Sequence, residues 1–148
     1  MSKSIIVFDG DCGICSVLVK STYKLSKLSN NKMLFFTPLN SELGIYLTNR
    51  INKKKYAISN GDTMIFYHLG NLYTGSTALI RSYAFASKIS ILNYLLFFPI
   101  FIRDLIYKFI AKNRYKLSKV FRLHSTNSCN LNTMKEINRR IIYSISEI

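Results

Sequence analysis

Ile5-Ile6-Val7-Phe8-Asp9-Gly10-Asp11-Cys12-Gly13-Ile14-Cys15 is the stretch on which the reading of this chain turns. Its first four residues are apolar and mostly β-branched, as in a buried strand, and Asp-Gly-Asp is turn chemistry. From Gly13 onward the apolar residues fall at helical spacing (Ile14, Val17, Leu18, Leu25, Leu28). Cys12 and Cys15 therefore stand where a strand hands over to a helix N-terminus. Unpaired backbone N–H groups and the helix dipole favour a thiolate at Cys12 there. Cys15 shares the same helical face, and a Cys-x-x-Cys on a first turn brings two sulfurs within bonding reach.

Outward from that stretch, the helix is expected over residues 13–29 and stops at Ser29-Asn30-Asn31. Met33-Leu34-Phe35-Phe36-Thr37 predicts a second buried strand, ended by Pro38. Strand, helix and strand in such close succession make a βαβ unit with parallel strands. Residues 41–50 predict a short helix with Leu43 and Leu47 at i, i+4, and Asn52-Lys53-Lys54-Lys55 a solvated loop. Residues 63–68 and 71–74 flank Gly70 as a hairpin, and a third helix follows, with Ser76 as N-cap and Ala78, Leu79, Tyr83 and Ala86 at helical intervals. A β-α-β then β-β-α order, with Cys-x-x-Cys opening the first helix, is the layout of a thioredoxin-like domain. The expected class is α/β, a βαβ-ββα core with additional C-terminal helices.

The run 89–102 is the most apolar of the chain but falls short of the roughly 20 residues that a membrane-spanning helix needs. It predicts a buried or interfacial helical hairpin, with Pro99 in the first turn of the second helix and no integral membrane span. Ile102, Leu105, Ile106, Phe109 and Ile110 form an apolar stripe that packs on the core or lies at a membrane surface, leaving the charged side to water. Asp104 and Lys108 stand in the favourable i, i+4 order. Residues 108–122 hold six basic residues and no acid, a solvated helix end or an anion-facing patch. Past the polar segment 124–132, Thr133-x-x-Glu136 resembles a capping box, and Ile137, Ile141, Ile145 and Ile148 predict a last amphipathic helix. The expected division is a domain over 1–130 and an extra helix over 131–148.

With 148 residues, 49% of them hydrophobic, the chain is long enough for one real core and too short for two comfortable ones. Three cysteines are no disulfide scaffold, and Met1-Ser2-Lys3-Ser4 runs into the first strand without a signal-peptide pattern. A cytoplasmic, reducing setting is the expectation, where a cysteine pair is catalytic or metal-binding rather than structural. The net charge of +14 favours acidic partners, anionic membrane surfaces or nucleic acid.

Phe8-Asp9-Gly10-Asp11-Cys12-Gly13-Ile14-Cys15 resembles the Asp-Gly-x-Cys-x-x-Cys signature of the DCC-type thiol-disulfide oxidoreductase family, a thioredoxin-like group. Gly70-Asn71-Leu72-Tyr73 leading into Ser76-Thr77-Ala78-Leu79 resembles its middle segment. Pro99, Arg103-Asp104, Tyr107 and Ala111-Lys112-Asn113-Arg114-Tyr115 resemble its C-terminal helix, and Cys129 falls where members often carry a late cysteine. The resemblance covers roughly residues 4–130. It implies Cys12 as attacking thiolate, Cys15 as resolving thiol and Asp9 as the acidic member, acting on a protein or small-molecule thiol or disulfide without a cofactor. A carboxylate beside the pair can take the Cys15 proton when that thiol must attack. Asp9 or Asp11 capping the helix is the bland alternative. Unlike thioredoxins proper, Asn60-Gly61-Asp62-Thr63 holds no proline, and Asp11 stands where an aromatic residue commonly precedes the first cysteine.

Three other readings compete. Cys12, Cys15 and Cys129, with His124, have the ligand types of a metal site, although a single Cys-x-x-Cys is a weak zinc signal. Asp9 as nucleophile with Asp11 as acid-base would make a haloacid-dehalogenase-like phosphotransferase, which also needs magnesium-binding acids, Asp62 being the one plausible partner. A basic membrane or nucleic-acid adaptor rests on the basic patch alone.

Overall fold

A computed structural model describes residues 3–9, 12–31, 33–52, 64–120 and 137–147. The expected loop 52–55 lies outside these beyond Asn52, as do Asp11, Asp62, His124 and Cys129. In order come β1 (Ser4–Phe8), α1 (Gly13–Leu28), β2 (Leu34–Pro38), α2 (Glu42–Asn52), β3 (Ile65–His68), β4 (Asn71–Thr74) and α3 (Gly75–Ser87). A 3₁₀ segment (Ser90–Phe97) and α4 (Ile100–Val120) complete the hairpin.

The sheet order is β2-β1-β3-β4, with β1 parallel to β2 and antiparallel to β3, and β3 antiparallel to β4. This is a mixed α/β architecture consistent with a thioredoxin-like fold. The alternation of β1 sorts the core into two layers. Ile6 joins Phe36 and Phe66 against Val19 and Tyr23 of α1 and Ala78 and Ala86 of α3, while Ile5, Val7 and Ile65 turn to Leu43, Leu47 and Ile51 of α2. Leu69 and Gly70, both at positive φ (47° and 80°), make the tight turn that matches the twist of β3 and β4. Ser41 caps α2 by accepting the Gly44 N–H at 3.0 Å, and a Cβ on Gly44 would stand 2.2 Å from the Pro38 carbonyl oxygen, so only glycine lets α2 approach the end of β2.

Three expectations are corrected. Residues 139–147 do not continue a helix: the tail runs beside β2, with Phe36 N–H donating to Arg140 O and Ile142 N–H to Phe36 O, both at 2.9 Å. Ile141 and Ile142 then fall on opposite faces, one in each core layer, and the described residues close on a 3₁₀ turn at Ile145–Glu147. Open β2 backbone groups are a stronger partner for this segment than a surface groove is for an isolated short helix. Ser76 is not the cap of α3, whose N-cap is Thr74; Ser76 Oγ donates to Asp104 Oδ1. Lastly, α4 turns its apolar stripe outward and its charged and polar side, including Arg103, Tyr107 and Arg114, to the body of the protein.

Candidate active site at the start of α1

The β1–α1 junction places both cysteines within one helical turn. Cys12 is the N-cap residue in extended conformation (φ −95°, ψ 117°), and its Sγ accepts the Cys15 N–H at 3.5 Å. The capping role weighed for Asp9 or Asp11 thus belongs to Cys12 itself. Both thiols are free.

Burial distinguishes them. Cys12 is 0% exposed, whereas Cys15 is partly open and borders a cavity. Burial, with Cys12 beside it, pushes the Cys15 thiol up to about 12, against the opposing pull of a hydrogen bond from the Asp9 backbone and of the Arg114 guanidinium. Cys15 therefore keeps its proton at neutral pH.

Asp9 follows the C-terminal end of β1, and its carbonyl accepts the Cys12 N–H at 3.4 Å, which closes the turn. Its carboxylate pairs with Arg114 at 3.1 Å, with side chains 18% and 10% exposed. Arg114 lies about a hundred residues downstream and ties α4 to the redox turn. A pair this poorly solvated holds only while both partners are present.

Asp9, Cys15, Tyr107, Arg103 and Arg114 share a cavity of about 630 Å³ whose other walls are almost entirely apolar, from α1, α3, the 3₁₀ segment and α4. Tyr107 Oη accepts the Met64 N–H at 2.8 Å just before β3, and burial together with the Cys15 sulfur raises its hydroxyl above the usual range. Arg103 Nε and Nη1 are buried without a hydrogen-bond partner among the described residues. These nitrogens can serve an acceptor brought by a ligand.

The sequence pattern singles out Asp9, Cys12 and Cys15, and the structure places all three at the β1–α1 junction. That pattern gave no role to Arg103, Tyr107 or Arg114, although a signal existed. They recur with Ala111 at steps of three and four residues, a polar and small stripe through an apolar helix. Among the described residues no group of three His, Cys, Asp or Glu side chains could hold a metal ion, and Cys129 and His124 lie outside them.

Residues 6–120 match the family described as DCC1-like thiol-disulfide oxidoreductase. The uncharacterized protein YuxK of Bacillus subtilis (strain 168) is 35% identical over 114 residues, 76% of this chain and 78% of YuxK. A DCC family protein of Arabidopsis thaliana, At1g52590, described as chloroplastic, is 28% identical over 117 residues, 78% of this chain and 64% of the plant protein. No solved structure matches. With the match running from β1 to the end of α4, through both cysteines and through Arg114, the chain belongs to the DCC1-like thiol-disulfide oxidoreductase family.

Proposed function

We propose that the chain catalyses thiol–disulfide exchange through Cys12 and Cys15, on protein or small-molecule disulfides in a reducing, cytoplasmic setting. The observation that carries this is the cysteine pair at the start of α1, in which the Cys15 N–H donates to Cys12 Sγ and Cys15 borders an apolar cavity. Cys12 Sγ attacks one sulfur of the substrate disulfide; a mixed disulfide forms and the first substrate thiolate leaves and takes up a proton. Cys15 then attacks Cys12 Sγ, the mixed disulfide breaks, and the second substrate thiol leaves as the Cys12–Cys15 disulfide forms. Two electrons pass from the dithiol to the substrate, and the reverse sequence oxidises a substrate dithiol.

The roles follow from the proton. A thiol that titrates near 12 is a poor first nucleophile at pH 7, so the attack falls to Cys12, where the Cys15 N–H meets negative charge as it develops on sulfur. Cys15 attacks second and needs a base, for which Asp9 is the one carboxylate among the described residues that line the cavity. Burial of Cys12 makes local opening part of the first step. The apolar walls favour a substrate with apolar groups beside its sulfur, and Arg103 offers donors to a carbonyl or carboxylate on it.

Intact mass after thiol alkylation in graded redox buffers, with and without a chelator, tests the reading. The expected result is a potential-dependent loss of two alkylation sites, mapped to Cys12 and Cys15 and indifferent to chelator. Cys15→Ser should trap a mixed disulfide at Cys12, Cys12→Ser should trap none there, and Cys129→Ser should leave trapping intact. Trapping at Cys15 in the Cys12→Ser variant alone would exchange the two roles, and chelator-dependent protection would replace the redox reading with a metal site.

A further inference from the structure

Between Ile89 and Ile110 the chain exposes thirteen of the twenty-one exposed large apolar side chains found among the described residues. That concentration is not the single scattered residue of ordinary surfaces. Phe97 is 83% exposed, and Leu105 and Phe109 are 70% and 68% exposed. Along α4 the outward stripe Ile102, Leu105, Phe109, Lys112, Lys116 runs at steps of three and four residues, apolar in its first half and basic in its second, and every one of these side chains is exposed. Lys108 and Lys119 flank it, also exposed.

We propose that this hairpin is a docking surface for an anionic lipid bilayer, in which the 3₁₀ segment and the first half of α4 enter the interface while the lysines meet the phosphates. Charge and shape select this occupant. An interfacial helix buries an apolar face only to headgroup depth, and its lysines lie on the flank where their stems can follow the apolar surface up to the phosphates. No helix among the described residues is long and apolar enough to cross a membrane, so the patch rests on the bilayer without spanning it. A second copy of the chain is a poorer cover: the two-fold pairing of like patches would bring together two chains of net charge +14. An anionic surface turns the same charge into attraction.

The docked face is also the rim of the site. Leu95, Ile106 and Ile110 are exposed members of the patch and, at the same time, walls of the cavity that Cys15 borders. Lying on a bilayer, the protein would open its cavity toward lipid-proximal disulfides. Lipid binding itself does not depend on the redox reading and is measured without thiol chemistry.

Flotation of the full chain with phosphatidylcholine vesicles, and with vesicles that also contain phosphatidylglycerol, tests the proposal. The expected result is binding to the anionic vesicles, at least about tenfold weaker binding to the neutral ones, and release by alkaline carbonate rather than by detergent alone. Leu105→Ser with Phe109→Ser, and separately Lys112→Glu with Lys116→Glu, should each weaken binding at least about tenfold. These positions are solvent-exposed, so the folded state, read by circular dichroism and unfolding midpoint, should persist. Sedimentation velocity supplies the other arm. A wild-type dimer that the Leu105 and Phe109 substitutions dissociate, with no vesicle binding, would overturn the proposal in favour of self-association. Equal binding to both vesicle types, or no binding by a monomer, would also overturn it.

Discussion

Helices α2 and α4 carry the same kind of apolar stripe and use it in opposite ways. In α2, Leu43, Leu47 and Ile51 recur every four residues and are 0–3% exposed beneath the sheet. In α4, Ile102, Leu105 and Phe109 recur as regularly and lie open, while Arg114, on the other side, is 8% exposed. A hydrophobic pattern states which side of a helix is apolar; it does not state what that side will meet. For α4 the inward side is chosen by specific polar partners. Arg114 reaches Asp9, Asp104 reaches Ser76 and Tyr107 reaches the Met64 N–H, three contacts that place the helix across the mouth of the cysteine turn. Rotating α4 to bury the stripe would strand Asp9 and take Tyr107 and Arg114 out of the cavity.

The contrast is testable in the energies, largest effect first. Leu47→Ala in α2 should cost about 3 kcal/mol in urea unfolding, the range for a filled core site. A loss below about 1 kcal/mol would mean that α2 is as loosely held as the outer face of α4. Arg114→Leu should come next at about 2 kcal/mol, since it leaves the Asp9 carboxylate partly buried without its cation. Asp9→Asn added to it should recover more than half of the loss, and strict additivity of the two substitutions would show that the pair is not what fixes α4.

The third effect is in pH. The Cys15 thiol is raised in the fold from 9.0 to about 12, so below pH 9 both folded and unfolded chains hold this proton and the full contribution to stability is present. Between 9 and 12 the unfolded chain loses the proton while the folded one keeps it. Stability should therefore fall with rising pH through this window, by up to about 1.4 kcal/mol per pH unit from this group. Subtracting the profile of Cys15→Ser isolates the contribution from lysines and tyrosines that titrate nearby. In Arg114→Leu the window should extend further upward, because the guanidinium that favours the thiolate is gone; an unchanged window would mean that α4 does not reach Cys15 electrostatically.

The smallest effect closes the comparison. Leu105→Ser in α4 should change stability by less than about 0.5 kcal/mol, as for an exposed position. A loss approaching that of Leu47→Ala would mean that the stripe is covered in the free protein.

Residues 4–52 illustrate how far a one-dimensional reading carries. The β-branched run, the Asp-Gly-Asp turn and the helical spacing after Gly13 specify β1 and α1 from short-range preferences, and the cysteines follow because a turn of helix fixes residues three apart. Leu43 and Leu47 likewise gave α2 its buried face. The identity of the helix cap was not legible, since an aspartate is the usual choice and the sulfur of Cys12 takes that place. Neither was the tail: isoleucines at 137, 141 and 145 fit a helix, yet the vacant edge of β2 draws residues 140–142 into extended pairing.

The elements of the βαβ-ββα core, the hairpin turn at Gly70 and the neighbourhood of Asp9, Cys12 and Cys15 are legible in the residue order, because each rests on contacts among residues close in the chain. The pairing of Arg114 with Asp9, the sealing of Cys12 with Cys15 left on the cavity, and the outward turn of the apolar side of α4 emerge only from the packed chain. These depend on partners far apart in sequence, where a charge or an open strand edge competes with hydrophobic burial. The spacing of residues along one helix carries no record of which competitor is near.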